Sequence, residues 1–240
     1  MYGGYGFYYD WTYILVILGV IITMAASAKM NAAFSRYRQV PSSTCLTGRE
    51  TAERILQANG IYDVEVRPVA GNLTDHYNPA DRTVNLSEAV YNKTSVAAVG
   101  VAAHECGHAI QHHVGYVPLQ LRSAIVPVVN VASSLSWPMI LIGVILAGAG
   151  SLLGSSLISL GIVLFSAAVL FQLVTLPVEF NASARALKQL TGLGILPARE
   201  EKMARSVLSA AALTYVAAAA ASLLQLLRLV ILFGGNRRRD

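Results

Sequence analysis

The chain has 240 residues, of which 55% are hydrophobic and only 13% are charged, and its formal net charge is +5. This composition is more apolar than that of an ordinary soluble domain and indicates a membrane protein. The excess of basic residues is typical of membrane orientation and of contact with anionic lipids, so we expect a lipid bilayer and no nucleic acid among the partners.

Residues 1–30 predict an N-terminal signal-anchor span. The run Tyr13–Ala28 is apolar, and the first charged residue after it is Lys29. Several aromatic residues precede or begin this run, as is typical of a membrane interface. They are Tyr2, Tyr5, Phe7, Tyr8, Tyr9, Trp11 and Tyr13. No basic segment precedes the run and no small-x-small cleavage site follows it, so we expect the anchor to stay uncleaved.

Residues 31–124 predict a compact domain outside the hydrocarbon. In chain order the sequence predicts a helix over Thr47–Asn59, a strand near Val64–Val69, a strand over Arg82–Leu86 and a helix over Val96–His112. The first helix is amphipathic and closes at Asn59-Gly60. Alternating valines indicate the first strand, and Asn78-Pro79-Ala80-Asp81 is a turn signal before the second. Thr94 or Ser95 is suited to cap the last helix.

That last helix carries the sequence His104-Glu105-Cys106-Gly107-His108, an HExxH motif. Residues four apart share one face of a helix, so His104 and His108 can present two imidazoles to one metal ion. The Glu105 carboxylate can then reach a water on that metal and act as general base. The preceding residues, 96–103, are apolar and would bury the motif, which is costly unless these polar groups bind a ligand. We therefore expect a catalytic site for one zinc ion.

Residues 125–176 predict a hairpin of two spans. The 40 residues from Trp137 to Leu176 contain no charged residue and no His, enough for two crossings and a tight turn. The turn is expected at Gly148–Ser151 or at Gly154–Ser156. The first span can begin as early as Ile125, with two prolines kinking it. These are Pro127 and Pro138.

A tetrahedral catalytic zinc site needs a third protein ligand and leaves one position for water. His112 lies four residues after His108, but one straight helix does not easily wrap three ligands around one ion. A third His six residues after the motif is excluded, because position 114 is Val. Glu179 is the preferred ligand, since it opens a helix-forming stretch directly after an apolar run. We expect this helix to lie within a cytoplasmic segment, residues 177–206.

The basic residues predict the orientation. None precedes Tyr13, whereas many follow the first span, so the positive-inside rule places the N-terminus outside and residues 31–124 and 177–206 in the cytoplasm. The last segment, residues 207–240, contains an apolar run over Val207–Phe233 that is long enough to span. A full span would place the basic tail Arg237–Arg239 outside, so a spanning and a re-entrant or amphipathic arrangement both stay open.

The chain resembles, over nearly its full length, the YugP-like family of bacterial zinc-dependent membrane proteases, the neutral zinc metallopeptidase type. The segments that carry the resemblance are Leu73–Pro79, Val84–Ser87, Ala102–His112 and Leu176–Ser183. It implies a mostly α-helical membrane protein that combines a zincin-like metalloprotease domain, built from the HExxH helix and a small β-sheet, with about four transmembrane helices. It also implies the bacterial inner membrane as the location, with the active site on the cytoplasmic side.

The chain is more distantly similar to the membrane gluzincins typified by the heat-shock protease HtpX and the CAAX protease. In those proteins a Glu supplies the third ligand, and an Asp four residues later supports the site. Here Glu179 is followed at that spacing by Ser183, and Asn181 is a candidate to serve instead.

The resemblance implies peptide hydrolysis, with Glu105 taking a proton from water and passing it to the leaving amine. The substrate is expected to be a peptide or protein, above all a membrane protein. Candidates for contact with the substrate or its oxyanion are His76, Tyr77 and Arg185. The strand that contains Asn85 is a candidate to bind an extended substrate along its edge.

Three other functions stay open. An intramembrane protease of the site-2 type would place the motif inside a span, which the apolar stretch Thr94–Gln111 permits, although Lys93 and His112-His113 flank it. A zinc-stabilised scaffold would need the ligands but not Glu105. A transporter would need polar residues within the spans, and Trp137–Leu176 has almost none. The sequence leaves the oligomeric state open.

Overall fold

The computed structural model describes residues 10–234. The aromatic residues before Asp10 and the basic tail Arg237–Arg239 therefore lie outside the described residues. The helices are α1 (Tyr13–Tyr37), α2 (Gly48–Ala58), α3 (Val96–His113), α4 (Val117–Gly148), α5 (Leu152–Gly192) and α6 (Ala198–Phe233). The strands are β1 (Glu65–Val69), β2 (His76–Asn78) and β3 (Thr83–Ser87). The predicted mostly α-helical fold with a small sheet is confirmed.

Four helices, α1, α4, α5 and α6, are long and apolar enough to cross a membrane. This confirms the predicted number of candidate spans. The helix α6 has 36 residues and a mean hydropathy of 2.2 in its most apolar window, so it meets the requirement by length and composition.

The hairpin between α4 and α5 turns at residues 149–151. Gly150 has a φ of +78°, in the left-handed region that favours glycine. The alternative turn at Gly154–Ser156 is wrong, because these residues lie inside α5. A Cβ at Gly154 would lie 2.3 Å from the Ala147 nitrogen, so this glycine lets the two helices approach closely.

The helix α4 begins at Val117, eight residues before Ile125, the earliest start that the sequence indicated.

The expected separate helix at Glu179 is also different in the structure. The helix α5 runs without interruption from the apolar span through Pro177 to Gly192, so Glu179 lies within it. Residues 177–206 comprise the end of α5, a turn with Gly194 at a φ of +63°, and the start of α6. The predicted segment boundaries at residues 30, 124, 176 and 206 each fall inside a helix.

The chain forms two compact units. Among the described residues, the first comprises residues 10–25, 126–172 and 217–234, and the second comprises residues 26–125 and 173–216. In the first unit, α1 and α6 run antiparallel, since Gly19 lies against Ala221 and Asp10 pairs with Arg228 at 3.5 Å. The Arg228 guanidinium also lies 4.4 Å from the centroid of the Tyr13 ring. The start of α1 and the end of α6 are therefore neighbours.

The second unit contains the sheet and the HExxH helix. Its buried core joins α2, β3, α3 and the last turns of α5, with Ile55, Leu86, Val99 and Leu190 at its centre. A capping box starts α2: the Thr47 hydroxyl accepts from the Glu50 N–H, and the Glu50 carboxylate accepts from the Thr47 N–H. Ser95 caps α3. Both helices therefore begin within one residue of the positions that the sequence predicted.

The sheet has the strand order β1-β3-β2. The strand β3 pairs in parallel with β1 and antiparallel with β2, so it is the central strand. The prediction that a substrate adds to the edge of Arg82–Leu86 is therefore wrong, because both edges of β3 are occupied. The free edges belong to β1 and to β2, a strand of three residues that the sequence did not indicate.

Candidate metal centre

His104 and His108 on α3 converge with Glu179 on α5. One ligand atom from each of the three residues lies within 4.8 Å of the other two. The Glu179 Oε2 atom is 3.3 Å from His104 Nε2 and 3.6 Å from His108 Nε2. Two imidazole nitrogens and one carboxylate oxygen are donors that zinc prefers, and this set leaves one tetrahedral position for water. The structure thus brings together the three residues that the sequence singled out as ligands.

The two helices can meet here because Gly107 has no side chain. A Cβ at this position would lie 2.5 Å from the carbonyl oxygen of Ala182, a distance that real Cβ atoms do not show. Ala182 is fully buried and lies almost one turn after Glu179 on α5. The backbone of α5 therefore rests against α3 between the two histidines, which carries Glu179 to the imidazoles.

Each histidine has a second partner that orients its ring. His104 Nδ1 lies 3.1 Å from Ser183 Oγ, and His108 Nδ1 lies 3.0 Å from Gln111 Oε1. The Gln111 amide donates to the Val178 carbonyl at 2.8 Å, so its orientation is fixed in turn. With a proton on each Nδ1, both Nε2 lone pairs are free to bind a metal.

Ser183 therefore makes the contact to His104 that the sequence analysis offered to Asn181. The Asn181 side chain instead accepts from Gln111 and from Arg185. The histidine is thus contacted by a neutral hydroxyl four residues after Glu179, where the more distant resemblance implied a carboxylate.

The environment of Glu179 fits a cation. The residue is 2% exposed, and Arg122 donates to its Oε1 atom at 3.1 Å. Its Oε2 atom is buried and has no hydrogen-bond partner. A buried carboxylate oxygen without a partner is costly, and this one faces two Nε2 atoms. A metal ion among these three atoms would satisfy all of them.

Glu105 lies beside this group and is also buried. Burial raises the pKa of its carboxyl to about 7, and the nearby Glu179 charge acts in the same direction against the opposing charge of His104. Its Oε2 atom accepts a hydrogen bond from the Tyr77 main-chain N–H at 2.9 Å. Glu105 is therefore held between the two histidines and the strand β2.

The strand β2 is fixed to its surroundings just before its start and at its central residue. Asp75, just before it, accepts from the N–H and the hydroxyl of Ser87 at 2.7 and 3.0 Å. Burial raises the pKa of the Asp75 carboxyl, against the effect of these two bonds. The Tyr77 hydroxyl lies 2.7 Å from Nδ1 of His112, which is on α3. These contacts set the position of β2 relative to Glu105.

The other candidates lie in different surroundings. His76 is exposed, and its Nδ1 is 2.8 Å from the Thr74 carbonyl. Asn85, on the central strand, donates to the Thr83 hydroxyl. Arg185 donates to Asn181 and lies over the Tyr116 ring. Tyr77 is the candidate that contacts Glu105, and it does so through its main chain.

Sequence reasoning missed two residues at this site, Arg122 and Tyr215. Arg122 pairs with Glu179, and the Tyr215 hydroxyl on α6 lies close to the Glu179 carboxylate. Arg122 did have a signal: the 56 residues between it and Glu179, 123–178, contain no charge, so the two are consecutive charges of opposite sign. Tyr215 lies within an apolar run and has no local signal.

Comparison with known proteins adds the family. The profile of a family described as "Putative neutral zinc metallopeptidase" matches residues 12–234. The chain belongs to the neutral zinc metallopeptidase family. Within it, the chain is 52% identical over 204 residues to a protein of Bacillus subtilis (strain 168) named "Putative membrane protease YugP". The match covers 85% of this chain and 88% of that protein. No solved structure matches the chain.

The resemblance to the YugP-like family is thereby confirmed. Membership in the zinc metallopeptidase family agrees with a His-His-Glu group that could hold a metal ion. The membrane protease relative and the four long apolar helices agree on a membrane setting.

Proposed function

We propose that the protein is a membrane-embedded zinc endopeptidase in which His104, His108 and Glu179 hold Zn²⁺ and Glu105 is the general base. The observation that carries this proposal is the buried, unpartnered Oε2 atom of Glu179, 3.3 and 3.6 Å from the two Nε2 atoms. A zinc ion supplies Lewis-acid activation of water and of the scissile carbonyl.

Glu105 has the position for proton transfer. It is buried beside His104 and the other proposed ligands, where its carboxylate would accept a proton from the attacking water and release it to the leaving amine. The Tyr77 N–H fixes one carboxylate oxygen of Glu105, which leaves the other oxygen for the proton.

Arg122 acts as a positioning residue for Glu179. It occupies the Oε1 atom, so a single carboxylate oxygen is offered to the metal. Coordination through one oxygen keeps a position open for water and substrate.

Tyr215 replaces His76 and Arg185 as the candidate donor to the oxyanion. Tyr215 is near enough to interact with the charges of Glu179 and Glu105, whereas His76 and Arg185 bond to other groups. A donor fixed beside the reacting carbonyl would stabilise negative charge that develops there.

The outer edge of β2 is the candidate site for the substrate backbone, in place of β3 and Asn85. Tyr77 is paired with Val84 on β3, and its N–H points away from that strand and is bonded to Glu105. An extended peptide at this edge would lie next to the metal centre and would bond to the Tyr77 carbonyl rather than to this N–H.

We also propose that this centre lies on the cytoplasmic side of a bacterial inner membrane. Residues 29–122 and 185–205, which flank the long uncharged stretch, contain most of the basic residues, which agrees with the positive-inside rule.

Zinc content and cleavage of casein or of a model membrane protein, measured on detergent-purified protein, test the proposal. Wild type should hold about one zinc per chain. Glu105→Gln should keep the zinc and lose about 10²–10⁴-fold in cleavage rate. Glu179→Ala should lose both, and Glu53→Gln, on the exposed face of α2, should lose neither.

Two outcomes would replace the proposal. If wild type holds zinc but neither wild type nor Glu105→Gln cleaves, the metal has a structural role and the scaffold function replaces the proposal. If no zinc binds, the proposal fails.

A site-2 type of protease is disfavoured by the burial of α3. Val96–Val99 are enclosed by other parts of the protein, and α3 is not among the candidate spans of the described chain.

A further inference from the structure

The second unit exposes large apolar side chains around its metal centre. We call this set the apolar collar. Its members are 37–70% exposed. They are Val114, Val117, Leu121, Leu173, Phe180 and Val216.

Three members of the collar lie at the level of Glu179 along their helices. Leu121 precedes Arg122, Phe180 follows Glu179, and Val216 follows Tyr215. Arg122 donates to the Glu179 carboxylate at 3.1 Å, and Tyr215 is near enough to that carboxylate to interact with its charge. These three apolar side chains are therefore next in sequence to Glu179 or to a residue that interacts with it, on three different helices.

Exposed charges lie elsewhere on the same unit. Beyond Glu179 on α5, Lys188 is exposed and lies about 13 Å further along the axis. Arg205 on α6 is exposed and lies about 15 Å before Tyr215. Exposed ion pairs on α2 and β1, such as Arg49 with Glu53, belong to the part built around the sheet. Lys29 on α1 is also exposed, and exposed His113 lies at the edge of the collar beside Val114. The unit therefore has a charged surface and, next to residues of the metal centre, an apolar patch.

Lipid is the occupant that fits the collar. The helices α4, α5 and α6 that form it are three of the four candidate spans, and the uncharged stretch 123–178 begins directly after Arg122. One headgroup layer is roughly 5–8 Å thick, so Lys188, about 13 Å beyond Glu179 on α5, and Arg205, about 15 Å before Tyr215 on α6, reach water when the collar lies at the edge of the hydrocarbon. An apolar band that continues a candidate span is expected to be covered by lipid.

We propose that the apolar collar is embedded in lipid, so that the metal centre works at the membrane surface and its substrates are segments of membrane proteins that have just emerged from the bilayer. The depth of the collar follows from the structure alone, whereas the substrate class rests on the proposed function.

Depth is measured first, without using activity. A fluorophore is attached to Val117→Cys or, as the matched control, to Tyr62→Cys, which is 81% exposed and lies beside β1. Both variants are made in a Cys45→Ser background, since Cys45 is exposed and Cys106 is buried. In phosphatidylglycerol-containing liposomes, quenchers on the lipid chains should quench the probe at residue 117 and not the probe at residue 62. If an aqueous quencher reaches both probes equally, the collar is not in lipid and the proposal fails.

Substrate class is measured next, by mapping cleavage positions. The substrate is a single-span protein with a long tail of one repeated, cleavable sequence, reconstituted with wild type or Glu105→Gln. Cuts that depend on Glu105 should fall within about five residues of the span, because an extended residue covers about 3.5 Å and the headgroup layer is thin. Cuts spread evenly along the tail would overturn the proposed substrate class and leave the peptidase function standing. If wild type makes no cut, the peptidase function fails, and the quenching result alone decides the position of the collar.

Discussion

At the scale of single residues, the two histidines are oriented by different means. A serine hydroxyl one turn from Glu179 contacts His104, while a glutamine on the same helix contacts His108. Gln111 is fully buried and is itself fixed by the Val178 carbonyl and the Asn181 side chain. The His104 ring therefore depends on a single hydrogen bond from the neighbouring helix, and this bond is the simpler one to remove.

Ser183→Ala should weaken zinc binding by about 10–100-fold, because partners that orient a metal-binding histidine typically contribute that much to affinity. Competition with a chelator of known affinity measures the change. Ser206→Ala, on the exposed face of α6, is the control and should bind zinc as wild type does. Equal affinities of the two variants would show that Ser183 does not orient His104.

Arg122→Ala should destabilise the folded protein by about 3–5 kcal/mol, because it leaves the Glu179 carboxylate buried with its Oε1 atom unpaired. Thermal unfolding in detergent after zinc removal isolates this contribution. Arg49→Ala removes a partner from an ion pair that is exposed on both sides, and it should cost under about 1 kcal/mol. A loss of similar size in both variants would contradict the importance of the buried pair.

At the scale of elements, the crossing of α3 and α5 determines the metal centre. Gly107 and Gly100 lie on the same helix, but their surroundings differ. A Cβ at Gly107 would collide with the Ala182 carbonyl at 2.5 Å, whereas a Cβ at Gly100 would make an ordinary contact with Ala204 at 3.4 Å. The two glycines therefore form a matched pair for testing the crossing.

Gly107→Ala should push the helices apart, lower the stability by about 1–3 kcal/mol and reduce the zinc content, because backbone atoms cannot move aside as a flexible side chain can. Gly100→Ala should keep the zinc and be neutral or stabilising by up to about 1 kcal/mol, since alanine favours the helix. Zinc per chain and the thermal unfolding midpoint measure both effects. Full zinc binding by Gly107→Ala would show that the crossing tolerates a side chain.

The elements also show what the sequence could predict. The starts of α2 and α3 agree with the sequence to within a residue, because the signals used, the amphipathic pattern from Thr47 and the Ser95 cap, are local. The strand β2 has three residues, too few for an alternating pattern, and it exists through its pairing with β3 and its bond to Glu105. Tyr215 reaches Glu179 only through the packing of α6, so its place at the site had no sequence signal.

At the scale of the whole molecule, the sequence left open whether the last apolar segment spans the membrane, and therefore whether the two chain ends lie on the same side. In the first unit, the pair of Asp10 with Arg228 and the contact of Gly19 with Ala221 align α1 and α6 along their lengths. Removing one member of a largely buried ion pair leaves the other uncompensated, so this contact favours the antiparallel arrangement. Together with the length of α6, it supports a full fourth span over the re-entrant alternative.

Both chain ends should therefore lie on the same side of the membrane. Single cysteines added before residue 1 and after residue 240, in a Cys45→Ser background, should react with an impermeant reagent from the same side of sealed vesicles. A cysteine in place of Tyr62, in the second unit, should react from the opposite side, since an odd number of spans separates it from either end. Labelling of the two ends from opposite sides would show that α6 does not span.

The contact between Gly107 and Ala182 bears on how related chains are recognised in genomes. HExxH is written with two free positions, but in this fold the second is restricted to glycine by a carbonyl oxygen of α5. The restricting residue follows Glu179 by three positions, and Ser183 comes next. A search can therefore combine two motifs, H-E-x-G-H and, after a long uncharged stretch, E-x-x-A-S. Both motifs describe residues at the same crossing of α3 and α5, so the combined search should return far fewer chance matches than HExxH alone.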